Sequence, residues 1–282
     1  MASRRLTGKF NLMNITFVGG GNMASALIGG LLRKRWPRKN IGVVEIASSA
    51  RERLARELKV RTYAAADAKA MKADCIVLAV KPQQMREVAQ SLRPFIGSQL
   101  IVTIAAGIRV RDLARWLGGH TRIVRVMPNT PALVLAGVSG LYAPASVSAS
   151  DRATAGKILG AAGAVLWFER EDDLDAVTAV SGSGPAYVFY FIEALARAAR
   201  ELGLATEAAH RLSLETFAGA VKLAAQASEP PETLRSRVTS KGGTTERALA
   251  SMESDRVKEA IVRAAKAAAE RSRELGDELG KD

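Results

Sequence analysis

Residues 15–24 read Ile15-Thr16-Phe17-Val18-Gly19-Gly20-Gly21-Asn22-Met23-Ala24. A short apolar, β-branched run enters three glycines, and helix-forming sequence follows. The spacing is G-x-G-x-x-A at a strand-to-helix turn. Gly19 permits the tight turn, Gly21 lets the backbone approach a pyrophosphate, and Ala24 keeps the helix close to the sheet. The helix start offers N–H donors and a partial positive charge to an anion. The stretch predicts a dinucleotide-binding βα unit; the plainer reading is a glycine-rich turn without a ligand.

Working outward, apolar runs alternate with helical stretches as far as residue 170. The runs are Ile15–Val18, Ile41–Val44, Cys75–Val80, Leu100–Ile104 and Ile123–Val126, with shorter ones at Val138–Ala143 and Ala164–Phe168. Helical sequence lies between them at Met23–Arg35, Ala50–Leu58, Gln83–Leu92 and Val110–Leu117. Such alternation implies a parallel sheet covered on both faces. After residue 170 the strand signal ends, and Ala, Leu, Glu and Arg dominate. Pro185 opens a helix to about Leu202, Thr206 caps the next to about Ala227, and Pro230-Pro231 breaks the chain. A short helix, a Ser240–Thr245 loop and further helix complete the pattern.

The expectation is an α/β protein: an N-terminal Rossmann-like doubly wound domain, then an all-α C-terminal dimerisation domain. Residues 1–13 are expected to be a flexible tail, 14–170 the nucleotide domain, and 171–282 the helical domain for dimerisation and substrate binding. Long Ala-rich helices often bury their apolar face on a second subunit.

Composition narrows the classes. The 282 residues include 41 Lys plus Arg against 28 Asp plus Glu, a net charge of +13. That excess favours anionic partners. Aromatic residues are only 5%, leaving few stacking platforms for single-stranded nucleic acid. The densest basic cluster, Arg33–Lys39, is short and broken by Trp36-Pro37. The N-terminus lacks the apolar core of a signal peptide, and no apolar run is long enough to span a membrane. A cytoplasmic protein binding neither nucleic acid nor membrane is expected. The single cysteine, Cys75, lies in an apolar strand and reads as a buried thiol. His120 and His210 have no ligand partners at metal-site spacing, so no metal is expected.

Cofactor choice turns on the end of the second strand. Glu45 stands about 20 residues past the glycine loop, where a carboxylate accepts ribose hydroxyls and repels a 2′-phosphate. Ser48, Ser49 and Arg51 are the opposite cue, since they suit a phosphate. The cofactor is NADPH or NADH, with a slight lean to NADH from Glu45.

Five blocks then share one register. They are Ala79-Val80-Lys81-Pro82-Gln83, Ile104–Ile108, Arg125–Ala132, Val180–Val188 and Val238–Thr245. With the glycine loop and Asn22-Met23, they resemble the pyrroline-5-carboxylate reductase family in order and spacing across about residues 14–275. The resemblance implies NAD(P)H-dependent reduction of 1-pyrroline-5-carboxylate to L-proline. It also implies an intertwined dimer, often assembled into decamers, with a site between one subunit's nucleotide domain and its partner's helices. By the same resemblance Gly19, Gly21, Asn22, Met23, Glu45, Ser48, Val80, Lys81, Pro82, Ala105 and Gly107 contact the cofactor. Ser240, Gly242, Gly243, Thr244 and Thr245 hold the substrate carboxylate, and Thr245 is the catalytic residue near the ring nitrogen. The plain alternative for Thr244 or Thr245 is a helix cap.

Two positions depart from the family. Glu45-Ile46 replace a common Asn-Arg pair suited to a 2′-phosphate, and Lys241 replaces a proline. Competing readings are another imine or hydroxyacid reductase on the same scaffold, a nucleic-acid-binding protein, or an inactive paralogue.

Overall fold

The computed structural model describes residues 13–281. Eight strands form one sheet: β1 (Ile15–Val18), β2 (Ile41–Val44), β3 (Arg61–Tyr63), β4 (Cys75–Leu78), β5 (Leu100–Thr103), β6 (Ile123–Met127), β7 (Gly137–Tyr142) and β8 (Gly163–Phe168). Their order is β3-β2-β1-β4-β5-β6-β7-β8, parallel except for the antiparallel β6–β7 pair. Strand order reverses between β1 and β4, which register Ile15 against Cys75 and Val18 against Leu78.

Alternate side chains of each strand feed two cores. Phe17, Val43, Val77 and Val102 join one with α1 (Asn22–Arg33), α2 (Ser48–Glu57) and α5 (Ala149–Leu159). Val18, Val44, Leu78 and Ile101 join the other with α3 (Met85–Leu92) and α4 (Val110–Trp116). The sheet is therefore doubly wound, as its near-continuous apolar strands require. Two elements escaped the sequence reading. β3 has three residues and starts on exposed Arg61. α5 carries no clear apolar stripe; it is fixed by Ser148, whose Oγ accepts the Asp151 N–H at 3.1 Å.

Packing divides the chain into two units. One runs through Ser183 and resumes at Ala268, and the other spans Gly184–Ala267. Composition changes at residue 170, but the first unit continues because α6 (Asp173–Val177) buries Leu174 and Asp175 within it. A π-helical turn over Thr178–Gly182 follows. The expected tail also shifts. Residues 1–12 lie outside the described residues, while Met13 packs on the core and its carbonyl accepts from Trp36 Nε1 at 3.3 Å.

The second unit holds α7 (Gly184–Glu201), α8 (Thr206–Gln226), α9 (Pro231–Arg237), α10 (Thr244–Ser254) and most of α11 (Val257–Leu279). Thr206 is the first helical residue of α8 rather than its cap, which is Ala205. Phe189, Tyr190, Leu202, Val221 and Leu223 are exposed in this unit. Among the described residues no helix is long and apolar enough to cross a membrane.

At the far end of the sheet, Arg122 grips Asp151 through Nη2 to Oδ1 at 2.7 Å and Nε to Oδ2 at 3.1 Å. This pairing holds the Asp151 carboxyl below its usual range. Its stabilisation is present above the ordinary carboxylate pKa and is lost as pH falls through the lower folded value. The Arg122 side chain is 40% exposed, so solvent screening limits the gain. Asp151→Asn is expected to cost about 1–2 kcal/mol at neutral pH. The gap from wild type should close in acid, below about pH 4; urea unfolding at several pH values measures it.

Candidate active site

The carboxyl ends of β1 and β4 open onto a cleft of about 520 Å³. This is the point where strand order reverses, the expected ligand position in a doubly wound sheet. Gly19, Gly20, Gly21, Glu45, Val80 and Lys81 all border it.

The three glycines do different work. Gly19 has φ +97°, and its N–H donates to the Val44 carbonyl at 2.8 Å, tying the loop to β2. A Cβ at Gly19 would stand 2.6 Å from the Ala79 carbonyl oxygen, and one at Gly20 would stand 2.6 Å from Leu54 Cδ1. A Cβ at Gly21 would meet nothing within 4 Å. Gly19 is thus required by backbone packing, whereas at Gly20 the end of the Leu54 side chain would have to shift. Gly21 caps α1 with extended backbone and no capping side chain, so open space stands before the helix's first N–H groups. The partial positive charge of a helix start favours an anion at such an opening. Asn22 and Met23 are the first two residues of α1, directly after this opening.

Glu45 is turned toward the loop. Its Oε2 accepts the Gly20 N–H at 2.8 Å and its Oε1 accepts the Ala47 N–H at 2.9 Å. Arg51 donates from Nη1 to the Glu45 and Ile46 carbonyls at 2.8 and 2.7 Å. Ser48 opens α2 and is exposed beside Ala47. The cleft wall also includes Ile46, 81% exposed, and the small residues Ala64, Ala65 and Ala66. Sequence reading missed the alanines because they follow β3, the strand it also missed.

Lys81 is exposed, and Pro82 opens a short 3₁₀ turn after it. Two further expected cofactor residues follow β5. Ala105 is buried in the core, and Gly107, with φ +75°, lies against Leu275, Gly276 and Leu279. Neither lines the 520 Å³ cleft, and the end of α11 lies against Gly107.

In the second unit, Ser240, Lys241 and Gly242 form an exposed turn leading into α10. Gly242 has φ +73°, and its N–H donates to Glu246 Oε2 at 2.7 Å. The Gly243 N–H donates to the Ser240 carbonyl at 3.0 Å. Gly243 is the N-cap and has no capping side chain, so Thr244 and Thr245 are the first helical residues, not caps. Two of the expected carboxylate donors are therefore internally satisfied. The N–H groups of Thr244 and Thr245 remain as the orphan donors of the first turn.

Other reactive groups are quiet. Burial pushes the Cys75 thiol up, and the charges of Asp151 and Asp74 push it further. Burial lowers the His120 pKa, and its Nε2 lies 2.9 Å from the Gln99 carbonyl. Among the described residues no group of His, Cys, Asp and Glu side chains is placed to hold a metal ion.

Comparison with known proteins bears on this arrangement. A family model described as pyrroline-5-carboxylate reductase dimerisation matches residues 171–275. Another, described as NADP oxidoreductase, coenzyme F420-dependent, matches residues 14–107. A pyrroline-5-carboxylate reductase of Pseudomonas aeruginosa is 45% identical over 94% of this chain and 98% of its own length. The chain belongs to the pyrroline-5-carboxylate reductase family. The solved family member from Coxiella burnetii superposes with a TM-score of 0.87 at 38% identity, covering 93% of this chain and 98% of that one. The member from Plasmodium falciparum, solved with NADP bound, gives 0.84 at 30% identity, covering 94% and 99%. The reductase-family match from residue 171 takes in the Gly242–Thr245 turn, and the oxidoreductase match takes in the glycine loop, Glu45 and Lys81.

The glycine geometry separates fold from binding. Gly21→Ala is expected to alter stability by less than about 1 kcal/mol, yet to weaken dinucleotide binding at least about tenfold, since the new methyl enters the space before α1. Gly19→Ala should instead destabilise by about 1–3 kcal/mol through its clash with Ala79. Thermal unfolding and energy transfer from protein tryptophans to bound NADH measure the two effects.

Proposed function

We propose that this chain reduces 1-pyrroline-5-carboxylate to L-proline with a reduced nicotinamide dinucleotide. The observation that carries the reading is a division of labour within a reductase-family chain. The first unit presents an open, glycine-lined helix start for a pyrophosphate. The second presents an uncapped helix start, at Thr244 and Thr245, for a carboxylate.

A bound nicotinamide supplies the hydride. The chain's own task is positioning and charge. Gly21 and the first turn of α1 hold the pyrophosphate, with Asn22 and Met23 beside it. Val80, Lys81 and Pro82 line the route from the adenosine end toward the nicotinamide. Exposed Ile46 and Ala64–Ala66 offer an apolar wall to the adenine.

Thr244 and Thr245 donate backbone N–H groups to the substrate carboxylate, with Ser240, Gly242 and Gly243 shaping the turn. The Thr245 hydroxyl accepts the N–H of the protonated imine, which already carries the proton the product nitrogen needs. No strong general acid is then required, and Lys81 serves by its charge.

Glu45 supports NADH as the preferred donor. Its two oxygens are anchored by backbone N–H groups but keep lone pairs for ribose hydroxyls. A 2′-phosphate brought to the same place meets that charge, while one donor group of Arg51 is engaged by carbonyls. Self-association is part of the reading. α7, α9 and α10 have no fully buried residue, and Phe189, 65% exposed, and Tyr190, 71% exposed, stand out on α7. A second copy covering these helices gives a dimer, and dimers gather into larger assemblies such as a decamer. A cytoplasmic setting completes the proposal.

Initial rates of 1-pyrroline-5-carboxylate reduction with NADH and NADPH side by side test it. NADH should be favoured, and Glu45→Ala should move the ratio toward NADPH by about tenfold, or about 1.4 kcal/mol. Thr245→Ala should lower kcat/KM with the fold intact. Absence of turnover from folded, dinucleotide-binding protein would defeat the proposal. Phe189→Asp with Tyr190→Asp should reduce the solution mass measured by light scattering; an unchanged mass would remove α7 from the interface.

A further inference from the structure

We propose that the last turns of α11 act as a positioning clamp on the loop after β5, and that Arg109 fastens the clamp. The inference rests on the reading that the Ala105–Gly107 loop flanks the nicotinamide.

Three glycines bring the helix close. A Cβ on Gly107 would lie 3.4 Å from Leu279 Cδ1 and 3.6 Å from the Gly276 nitrogen. A Cβ on Gly276 would lie 3.2 Å from the Arg109 guanidinium, and one on Gly280 would lie 2.6 Å from Asp112 Oδ2 on α4. The helix therefore rests on a left-handed glycine at the loop's tip and on the first turn of α4 behind it.

Polar contacts fix its register. Arg109 Nη1 meets Asp277 Oδ1 at 2.6 Å, and its Nη2 donates to the Arg273 carbonyl at 3.5 Å. Arg115 donates to the Gly280 carbonyl at 2.7 Å and Arg86 to the Lys281 carbonyl at 3.4 Å. These cations meet the carbonyl end of a helix, where orphan acceptors and the dipole both favour them. Deeper, Ser272 Oγ donates to the buried Asp175 at 2.6 Å. Leu279 packs on the same core as Val80, which borders the cleft.

Arg109 sits at the N-cap of α4, two residues past Gly107, so the clamp and the loop share one short stretch of backbone. No residue of α11 borders the cleft. Its effect on the reaction must pass through the position of the loop. The Arg109–Asp277 pair is open to solvent on the Asp277 side, 63% exposed, so it contributes little to global stability. A change in kinetics on breaking it reports positioning, not unfolding.

The experiment uses the full-length protein with Asp277→Arg, the charge swap Arg109→Asp with Asp277→Arg, and a chain ending at Gly276. Asp277→Arg should lower kcat/KM for the dinucleotide by about tenfold, the scale of a small misplacement. The KM for 1-pyrroline-5-carboxylate and the melting temperature should stay close to wild type. The swap should restore most of the loss, and the shortened chain should lose more than Asp277→Arg. Unchanged dinucleotide kinetics in both Asp277→Arg and the shortened chain would overturn the clamp, as would a loss that tracks melting temperature without rescue. Gly21→Ala, run alongside, tests the cleft itself. If it abolishes dinucleotide binding while the α11 variants behave as wild type, only the clamp fails. If it leaves binding intact, the cleft reading falls and the clamp falls with it.

Discussion

Close approach of backbone to backbone at glycine is the constraint on which the binding end of this sheet depends. At Gly19 the β1 loop comes so near the end of β4 that no side chain fits between them. That contact sets where α1 begins, and so where its N–H groups point. Gly30 repeats the device at the other end of α1, where a Cβ would lie 2.2 Å from the Ala161 carbonyl oxygen. A helix pinned at both ends has little freedom to tilt. Its N-terminal partial charge is thereby held in a fixed place.

Glu45 is fixed by the same geometry. It ends β2 and is held by N–H groups from two segments, Gly20 on the loop and Ala47 before α2. The carboxylate therefore does not swing away when a ligand approaches. The parallel feature in the second unit works differently. There Glu246 reaches back to the Gly242 N–H, a local brace at the start of α10. It puts a negative charge beside the donors proposed for a substrate carboxylate. The open donors lie two and three residues further on, at Thr244 and Thr245. The two glycines of that turn thus shape the backbone, and the proposed binding falls to the threonines.

How far the sequence could be read follows from which signals are local. The strands of the central sheet are legible because burial on both faces demands unbroken apolar runs. The glycine loop is legible because its three positions have separate steric reasons. β3 is not, since three residues beginning with Arg61 form an edge strand without alternation. The boundary between units is not either. The composition turns helical at residue 170, yet Leu174 and Asp175 still pack into the first unit, and the chain returns there from Ala268. That return is a long-range contact with no local signature. It lays Leu275, Gly276 and Leu279 against Gly107, a contact that no local pattern announces.

The charge excess, which taken alone suggests a polyanion as partner, has an internal use. Several arginines in this chain donate to backbone carbonyls, some of them beside a carboxylate partner. Arg51 serves Glu45 and Ile46, Arg53 serves Gly20, Arg61 serves Lys39, and Arg152 serves Ala143. Arg86, Arg109 and Arg115 together serve the end of α11. Each such bond satisfies acceptors that helix ends and loops leave open. Lysine, with its more strongly hydrated point charge, suits this role less well than a planar fork of donors. Net positive charge then accumulates as a by-product of how loops and helix ends are tied down, and nucleic acid need not be invoked to account for it.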